Sequence, residues 1–445
     1  MPALILPPTN TAGSVAFDIV PHWYMYPPKG CYTSGPSDKK LLDTEFSRLS
    51  GPVNLYVHIP FCNMKCSFCS LFAAVAGPGA TFDDYIGSLV AEMGLVSSRM
   101  DKRSVHMQNL YIGGGTPSIL PEREAQRLMN HLRAEFTTGH DASFSVEFSP
   151  ETVDAATATL WASFGANRAS LGVQSFNDAL LRSMRRKHDG KAAQEAIDLL
   201  VNAGFRDLNI DLIYGHTDQN IGDWLDDVTR SITCGATSVT IHPLANRRMT
   251  GYKTERSDGH CFHSDERLSE FFNRATDAFR SAGWLSTSAV AFSNTNTGNP
   301  LEEAEAQGIP TVGLGAGART SLLRLHTSSV PYSGAIPVAE SLAHYHGAIQ
   351  HGQLPVASWV HVTEEDQRRR RVLLSLVGRG VDELCLSQAP PPVQAVLASF
   401  ESEGLVRKQE TCLVLTDKGR RDAATVGLRL ASSTVQRAIV GAPVA

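Results

Sequence analysis

No run in the 445 residues approaches the roughly 18 consecutive apolar residues that a membrane-spanning helix needs. The N-terminus, MPALILPPTNTAGS, lacks both the basic start and the long apolar core of a secretory leader. Excess basic charge is missing too: 40 Lys and Arg against 45 Asp and Glu leave a net charge of -5. No overall field therefore draws the chain to nucleic acid or to a membrane surface. Cysteine is sparse, and five of the eight (Cys31, Cys234, Cys261, Cys385, Cys412) are scattered without disulfide spacing, which fits a reducing compartment. These absences point to a cytoplasmic protein with no nucleic-acid and no membrane partner. Beyond strand-helix alternation there is no internal repeat. With 42% apolar and 19% charged residues, the composition is that of a globular chain able to bury a large core. The one basic cluster, Arg368 to Arg371, lies within a helical pattern and reads as a solvated face.

The remaining three cysteines sit together. In NLYVHIPFCNMKCSFCSLF, residues 54–72, a β-branched run ends at Pro60 and is followed at once by Cys62, Cys66 and Cys69. A strand runs straight into a loop of thiols. C-x3-C-x2-C spacing can hold three irons of a 4Fe-4S cluster, because thiolates are the soft ligands such clusters select. The fourth iron would stay open, and S-adenosylmethionine (SAM) can chelate it through its amino and carboxylate groups. The competing readings are a zinc site, which takes four protein ligands, and three unrelated buried cysteines.

From about 53 to 243, short apolar runs alternate with amphipathic ones. Strands are expected at 53–59, 109–112, 144–148, 168–174, 207–213 and 238–242. Helices are expected between them, at 81–98, 122–135, 155–164, 178–185, 191–203 and 221–234. Six repeats of strand then helix predict an α/β fold, a partial (β/α)6 TIM-like barrel with parallel strands and its chemistry at their carboxyl ends. An N-terminal arm (1–50) precedes the barrel (51–250), with a helix at 37–49 capped by Ser37. A barrel extension and substrate-pocket region (251–360) follows, irregular to 313 and then glycine-rich (GLGAGAR, 313–319). A small C-terminal winged-helix-like domain (361–445) ends the chain.

Several polar groups fall at the expected strand ends. Gly113 to Thr116 follow the second strand, and glycine there lets backbone approach a ligand closely or simply makes a tight turn. Glu147 ends the third strand, where it can hold a cofactor amine or ribose or sit solvated. Gln174 ends the fourth. Arg186 and Asp211 can bind the carboxylate and amine of a second amino-acid-like ligand by charge-assisted hydrogen bonds, or neutralise each other.

In this order YVHIPFCNMKCSFC, YIGGGTPS, SVEFSPE, GVQSFN and NIDLIYG resemble the radical SAM enzymes typified by oxygen-independent coproporphyrinogen III oxidase. The likeness covers about 50–330, and the C-terminal unit more loosely. It implies a 4Fe-4S cluster on Cys62, Cys66 and Cys69, and two SAM molecules. Tyr56, Gly114, Glu147 and Ala245 would touch the first; Phe68, Gly115, Thr116, Gln174, Arg186 and Asp211 would line the second. Two departures matter. The oxidases carry a fourth cysteine two residues after the third, where Leu71 stands here, and the YPPKGCY arm is more similar to class C radical SAM methyltransferases of natural-product pathways.

That second departure leads to the expectation of a class C methyltransferase or cyclopropanase. It would add a SAM-derived methyl or methylene to an sp2 carbon of an aromatic or heteroaromatic small molecule, with flavodoxin or ferredoxin as electron donor. Tyr56, His58 and His242 are the candidate proton-handling groups. The alternatives are oxidative decarboxylation of a porphyrinogen propionate, and heme binding as a chaperone.

Overall fold

The computed structural model describes residues 23–77, 82–244, 265–331 and 336–441. The expected alternation is realised. Strands β1 (Gly51–Ile59), β2 (Val105–Gly114), β3 (Thr138–Phe148), β4 (Arg168–Gln174), β5 (Asp207–Tyr214) and β6 (Ser238–Pro243) pair in sequence order. All these pairs are parallel. Between them run α1 (Phe82–Ser97), α2 (Glu122–Glu135), α3 (Ala155–Ser163), α4 (Asp178–Ser183), α5 (Gly190–Asn202) and α6 (Ile221–Thr233). Local chemistry sets several starts. Asp154, Asn177, Asp189 and Asn220 each accept backbone N–H bonds as N-caps, and Asn220 completes a capping box with Asp223. The helix of the arm, Lys39–Ser47, is capped by Asp38 and not by Ser37, because the Asp38 carboxylate reaches the Lys40 and Leu41 N–H groups.

The glycine-rich region contains more structure than its pattern suggested. Thr311–Leu314, here β7, lies parallel beside β1 on the side away from β2. Antiparallel strands then extend both edges: Arg319–Ser321, Leu325–Ser328, Ser358–His361 and Thr33–Ser34 beyond β7, and Ala291–Ser293 and Leu285–Ser286 beyond β6. The result is one 13-stranded sheet. A four-residue strand with glycine at its third position shows neither alternation nor length, so periodicity could not reveal it.

One face of this sheet packs on the helices in a continuous apolar core. The other face is polar low in the barrel. Asn109 donates to Asn54, and Asn54 to Thr311, at 2.8 and 3.3 Å; Thr240 donates to Asn209 at 2.9 Å. These bonds satisfy buried side chains that would otherwise destabilise the interior. Helix Pro300–Ala306 closes that end: Thr311 donates to Glu305 at 2.6 Å and Asn109 to the Pro300 carbonyl at 3.3 Å. The chemistry is thereby left to the opposite, carboxyl end.

A second apolar cluster underlies the C-terminal unit, where Val381–Asp382, Cys412–Leu415 and Val406–Gln409 form a three-stranded antiparallel sheet among helices. Trp23 and Tyr26 of the arm belong to this cluster. The Trp23 indole donates to the Ala424 carbonyl at 3.0 Å, and Tyr26 bonds Asp366 and Ser432. The arm from residue 23 onward is therefore packed against the C-terminal unit. Among the described residues no helix is long and apolar enough to cross a membrane.

Candidate active site at the carboxyl end of the barrel

β1 ends at Pro60, and the chain then makes a short parallel pairing of Phe61–Cys62 with Ala74–Val75. Backbone bonds from Ala74 to Pro60 (2.6 Å) and from Ala76 to Cys62 (2.8 Å) close a loop that holds Cys62, Cys66 and Cys69. All three thiols are half-buried and unpaired by disulfides. Burial pushes the Cys62 thiol up to about 11, reinforced by the neighbouring Cys69 and Cys66, and raises Cys69 as well. Without a metal Cys62 and Cys69 stay protonated; metal binding is what ionises them. Among the described residues no group of three or more His, Cys, Asp or Glu is drawn together around a single ion. Three thiols spread through one loop suit a cluster that gives each its own iron, so the donor set fits the 4Fe-4S centre.

The GGG run is stitched to this loop. Gly115 N–H donates to the Ile59 carbonyl at 2.8 Å and Thr116 N–H to Phe61 at 2.7 Å. The Thr116 hydroxyl lies 3.5 Å from Cys62 Sγ. A Cβ on Gly115 would stand 2.5 Å from the Phe61 carbonyl oxygen and 2.9 Å from Cys62 Sγ, so only glycine permits this approach. Gly114, at φ +117°, leaves room for the His58 ring, 2.8 Å from where its Cβ would be. Gly317 of the second glycine run leaves the same room on another side of that ring.

His58 is thus enclosed. Its Nε2 lies 2.8 Å from the Phe72 carbonyl, which fixes the proton there, and Nδ1 accepts from the Tyr56 hydroxyl at 3.1 Å. Burial lowers its pKa to about 4 despite the Phe72 bond. A neutral ring fastened at both nitrogens ties the far end of the cysteine loop to β1. Tyr56 also stacks on Tyr111, with ring centres 5.9 Å apart, and burial pushes its hydroxyl well above the usual range.

Glu147 accepts from the Tyr111 hydroxyl and from Gly114 N–H, both at 2.9 Å. Burial outweighs those bonds and lifts its carboxyl to about 7. Asp211 accepts from Asn209 at 2.8 Å and from Ser170 at 3.4 Å, and lies 3.9 Å from His242 Nε2. Gln174 takes positive φ (+70°) at a bulge in the β4–β5 pairing. Phe68 packs with Leu180, Met184, Ile213 and Leu244. Ala245 lies outside the described residues.

Arg186 does not pair with Asp211. Its Nη1 lies 3.3 Å from Cys66 Sγ, and Nη2 donates to Ser149 (2.7 Å), to the Gly172 carbonyl (2.8 Å) and to Glu151 (3.4 Å). Its buried Nε has no protein partner, leaving one donor for a ligand. Glu151 and His188 escaped sequence reasoning; they form a buried pair at 3.3 Å. Burial alone would raise the Glu151 carboxyl, but His188, Arg186 and Ser149 outweigh it and hold it at about 2. The only available signal was Glu151's place in SVEFSPE, three residues past the strand end.

Known proteins place this geometry. Residues 56–229 match the Radical SAM superfamily model. The chain is similar to the heme chaperone HemW of Synechocystis, 27% identical over 274 residues, which span 60% of this chain and 65% of that protein, just under two thirds of its length. It is similar to the oxygen-independent coproporphyrinogen III oxidase of Pseudomonas aeruginosa, 24% identical over 413 residues and 87% of each chain. Among solved structures it matches coproporphyrinogen III oxidase (HemN) of Escherichia coli, titled a radical SAM enzyme, with TM-score 0.79 and 22% identity, over 92% of this chain and 97% of that one.

These likenesses overturn the expectation of methyl transfer to an aromatic natural product, and of cyclopropanation with it. The arm that suggested a class C methyltransferase is not an addition peculiar to that branch, since the oxidase fold leaves fewer residues of this chain unmatched than the arm contains. The named relatives are heme chaperones and coproporphyrinogen oxidases. The stretch 56–229, which holds the cysteine loop and the glycine seat, is similar to the radical SAM superfamily, and its donor set fits the 4Fe-4S cluster and SAM of that superfamily.

Proposed function

We propose that the chain is a radical SAM enzyme that oxidatively decarboxylates a porphyrinogen-like substrate, in keeping with its likeness to proteins named coproporphyrinogen III oxidases. The observation that carries this is coverage: the match to the Pseudomonas aeruginosa oxidase spans 87% of the chain, whereas the chaperone match spans 60%. In this reading Cys62, Cys66 and Cys69 hold the cluster. When bound, cluster and SAM together supply a 5′-deoxyadenosyl radical that abstracts a hydrogen atom, with flavodoxin or ferredoxin as the electron source.

The chain's own residues bind and orient. Gly114, held through its N–H by Glu147, and Gly115 form a close-approach seat beside the cysteine loop. Tyr56 stacks on Tyr111 as the wall next to that seat. The two-SAM arrangement belongs to the same proposal: Asp211, held by Asn209 and Ser170, faces a ligand amine, and Arg186 offers Nε to a carboxylate, beside Thr116, Gln174 and Phe68. Each substrate propionate would lose one hydrogen atom to the radical, carbon dioxide, and one electron to an acceptor, leaving a vinyl group.

Anaerobic incubation of the reconstituted protein with SAM, reductant and coproporphyrinogen III tests this reading by mass spectrometry. Loss of carbon dioxide, with deuterium moving from labelled propionate into 5′-deoxyadenosine, supports it. SAM cleavage without decarboxylation, beside stoichiometric heme retention, would replace it with the chaperone reading.

A further inference from the structure

Among the described residues, two cations of the mouth, Lys29 and Arg319, form no ion pair. β7 runs parallel to β1, with Gly313 paired to Tyr56, so the side-chain direction at Gly313 points to the face that bears Tyr56. A Cβ there would stand 2.2 Å from the Arg319 carbonyl oxygen. The backbone at Arg319 therefore folds over the space the glycine leaves, on the Tyr56 side of the sheet. From that position the Arg319 guanidinium reaches the arm. It lies over the Tyr24 ring, 5.4 Å from its centre, with Nη1 2.6 Å from Met25 Sδ.

Five residues beyond Tyr24, the arm turns at Lys29–Cys31 and brings a second cation alongside. Burial and the Arg319 guanidinium push the Lys29 ammonium down to about 8. Gly317, two residues before Arg319, abuts the His58 ring, which puts this turn at the mouth, and the charges of both Lys29 and Arg319 help to hold the His58 pKa down. The acids on the neighbouring elements are engaged elsewhere: Glu147 by Tyr111 and Gly114, Glu305 by Arg370 and Thr311, and Asp366 by Tyr26 and Thr363. Two like charges held together, partly desolvated and without a counter-ion, form an arrangement that an anion stabilises.

We propose that Lys29 and Arg319 form a clamp, on the Tyr56 side of the mouth, for an organic carboxylate of the substrate. The proposal deepens the decarboxylase reading and rests on it, since such a substrate carries several carboxylates. It also gives the arm a purpose: Trp23 and Tyr26 anchor it in the C-terminal cluster, and the anchored turn presents Lys29.

The test uses coproporphyrin III, stable in air, and its tetramethyl ester as probes, with binding to the full chain read by fluorescence. Lys29→Met and Arg319→Met keep the apolar stems and remove the charges. Each should weaken coproporphyrin III binding by about tenfold or more, the worth of one charge-assisted contact, and leave the ester unaffected. Arg319→Lys should retain most of the binding, and SAM affinity and SAM cleavage should stay unchanged. Wild-type protein that binds neither probe would defeat the decarboxylase reading itself. Wild-type binding that the Met variants preserve would overturn the clamp alone. Loss of SAM affinity in their place would assign the carboxylate to SAM and overturn the substrate assignment. Equal loss in Arg319→Lys and Arg319→Met would reduce Arg319 to a support for Tyr24.

Discussion

Arg186 Nη1 points at Cys66 Sγ, 3.3 Å away, while its other terminal nitrogen is fixed by Ser149, Gly172 and Glu151. A guanidinium held in this way is a permanent donor to one of the three sulfurs. Hydrogen bonds to ligand sulfur are one of the levers on an iron-sulfur potential, because they favour the reduced, more negative form. Arg186→Gln should therefore lower the midpoint potential of the reconstituted protein. The shift should be roughly 50 mV, since a charge-assisted bond contributes about 1.5–3 kcal/mol and only its difference between oxidation states counts. Glu151→Gln, which loosens the guanidinium without touching sulfur, should move the potential the same way by less. A redox titration followed by electron paramagnetic resonance decides it: equal potentials in all three proteins would mean that Arg186 does not bond the ligated sulfur.

Gly115 makes a second, steric demand on the same loop. The nearest atoms to an added Cβ belong to the Phe61 backbone and to Cys62 Sγ, neither of which can swing aside like the end of a long side chain. Gly115→Ala should separate the glycine seat from the cysteine loop, at a cost of about 1–3 kcal/mol for overpacking. The expected result is a folded protein by circular dichroism that takes up well under half the wild-type iron and sulfide. Full cluster content in this variant would remove the close-approach argument.

How much of this was legible depended on length and period. β4 and α2 fall at the expected limits, and the other barrel strands begin or end within a few residues of them, because apolar runs of five to eight residues flanked by turn signals carry their own pattern. The cysteine loop was legible because its C-x3-C-x2-C spacing points to a cluster, and the glycine run only through its place one strand after that loop. β7 was not, since Thr-Val-Gly-Leu is too short to alternate. Glu151 and His188 were hidden for another reason: their roles exist only through a contact between residues 37 positions apart, which local pattern cannot express. Arg186 could be singled out from the sequence, but the direction of its guanidinium, toward Cys66 and not toward Asp211, could not.

His58 illustrates the same limit, since a histidine at a strand end suggested proton transfer and the structure makes it a fastener. Its ring fills the space beside Gly114 and Gly317 and holds the Phe72 carbonyl, three residues past Cys69. His58→Phe keeps the bulk but leaves that carbonyl and the Tyr56 hydroxyl without their partner. It should cost about 1–3 kcal/mol of stability in urea unfolding, the usual penalty for a stranded buried group. The cluster loop, released at its far end, should also lose iron faster to a chelator. Unchanged chelation kinetics would show that Phe72 is held by its neighbours without the imidazole.

Glu92 on α1 sets a pH dependence whose sign can be worked out. Its buried carboxyl accepts from Gly315 N–H and from the Tyr345 hydroxyl, both at 2.7 Å, behind the second glycine run. Burial raises it to about 7, with those two bonds only partly opposing. In the unfolded chain the same group releases its proton near pH ~4.3. Between these values the folded state holds a proton that the unfolded state has lost, so stability is full below the lower value and falls as pH rises to about 7. Asp227, buried and raised to about 6 by burial, adds a contribution of the same sign over a narrower window. Glu147, likewise lifted to about 7, acts in the same sense and His58, held at about 4, in the opposite one. The Glu92 share is therefore read in urea unfolding as the difference between wild type and variant from pH 5 to pH 7. Glu92→Gln, which cannot ionise, should make the decline in stability shallower by up to about 1.4 kcal/mol per pH unit, the value of one proton. If wild type and variant give parallel profiles, the Glu92 carboxyl is already ionised in the fold, and the seat behind Gly315 must contain a compensating charge from elsewhere.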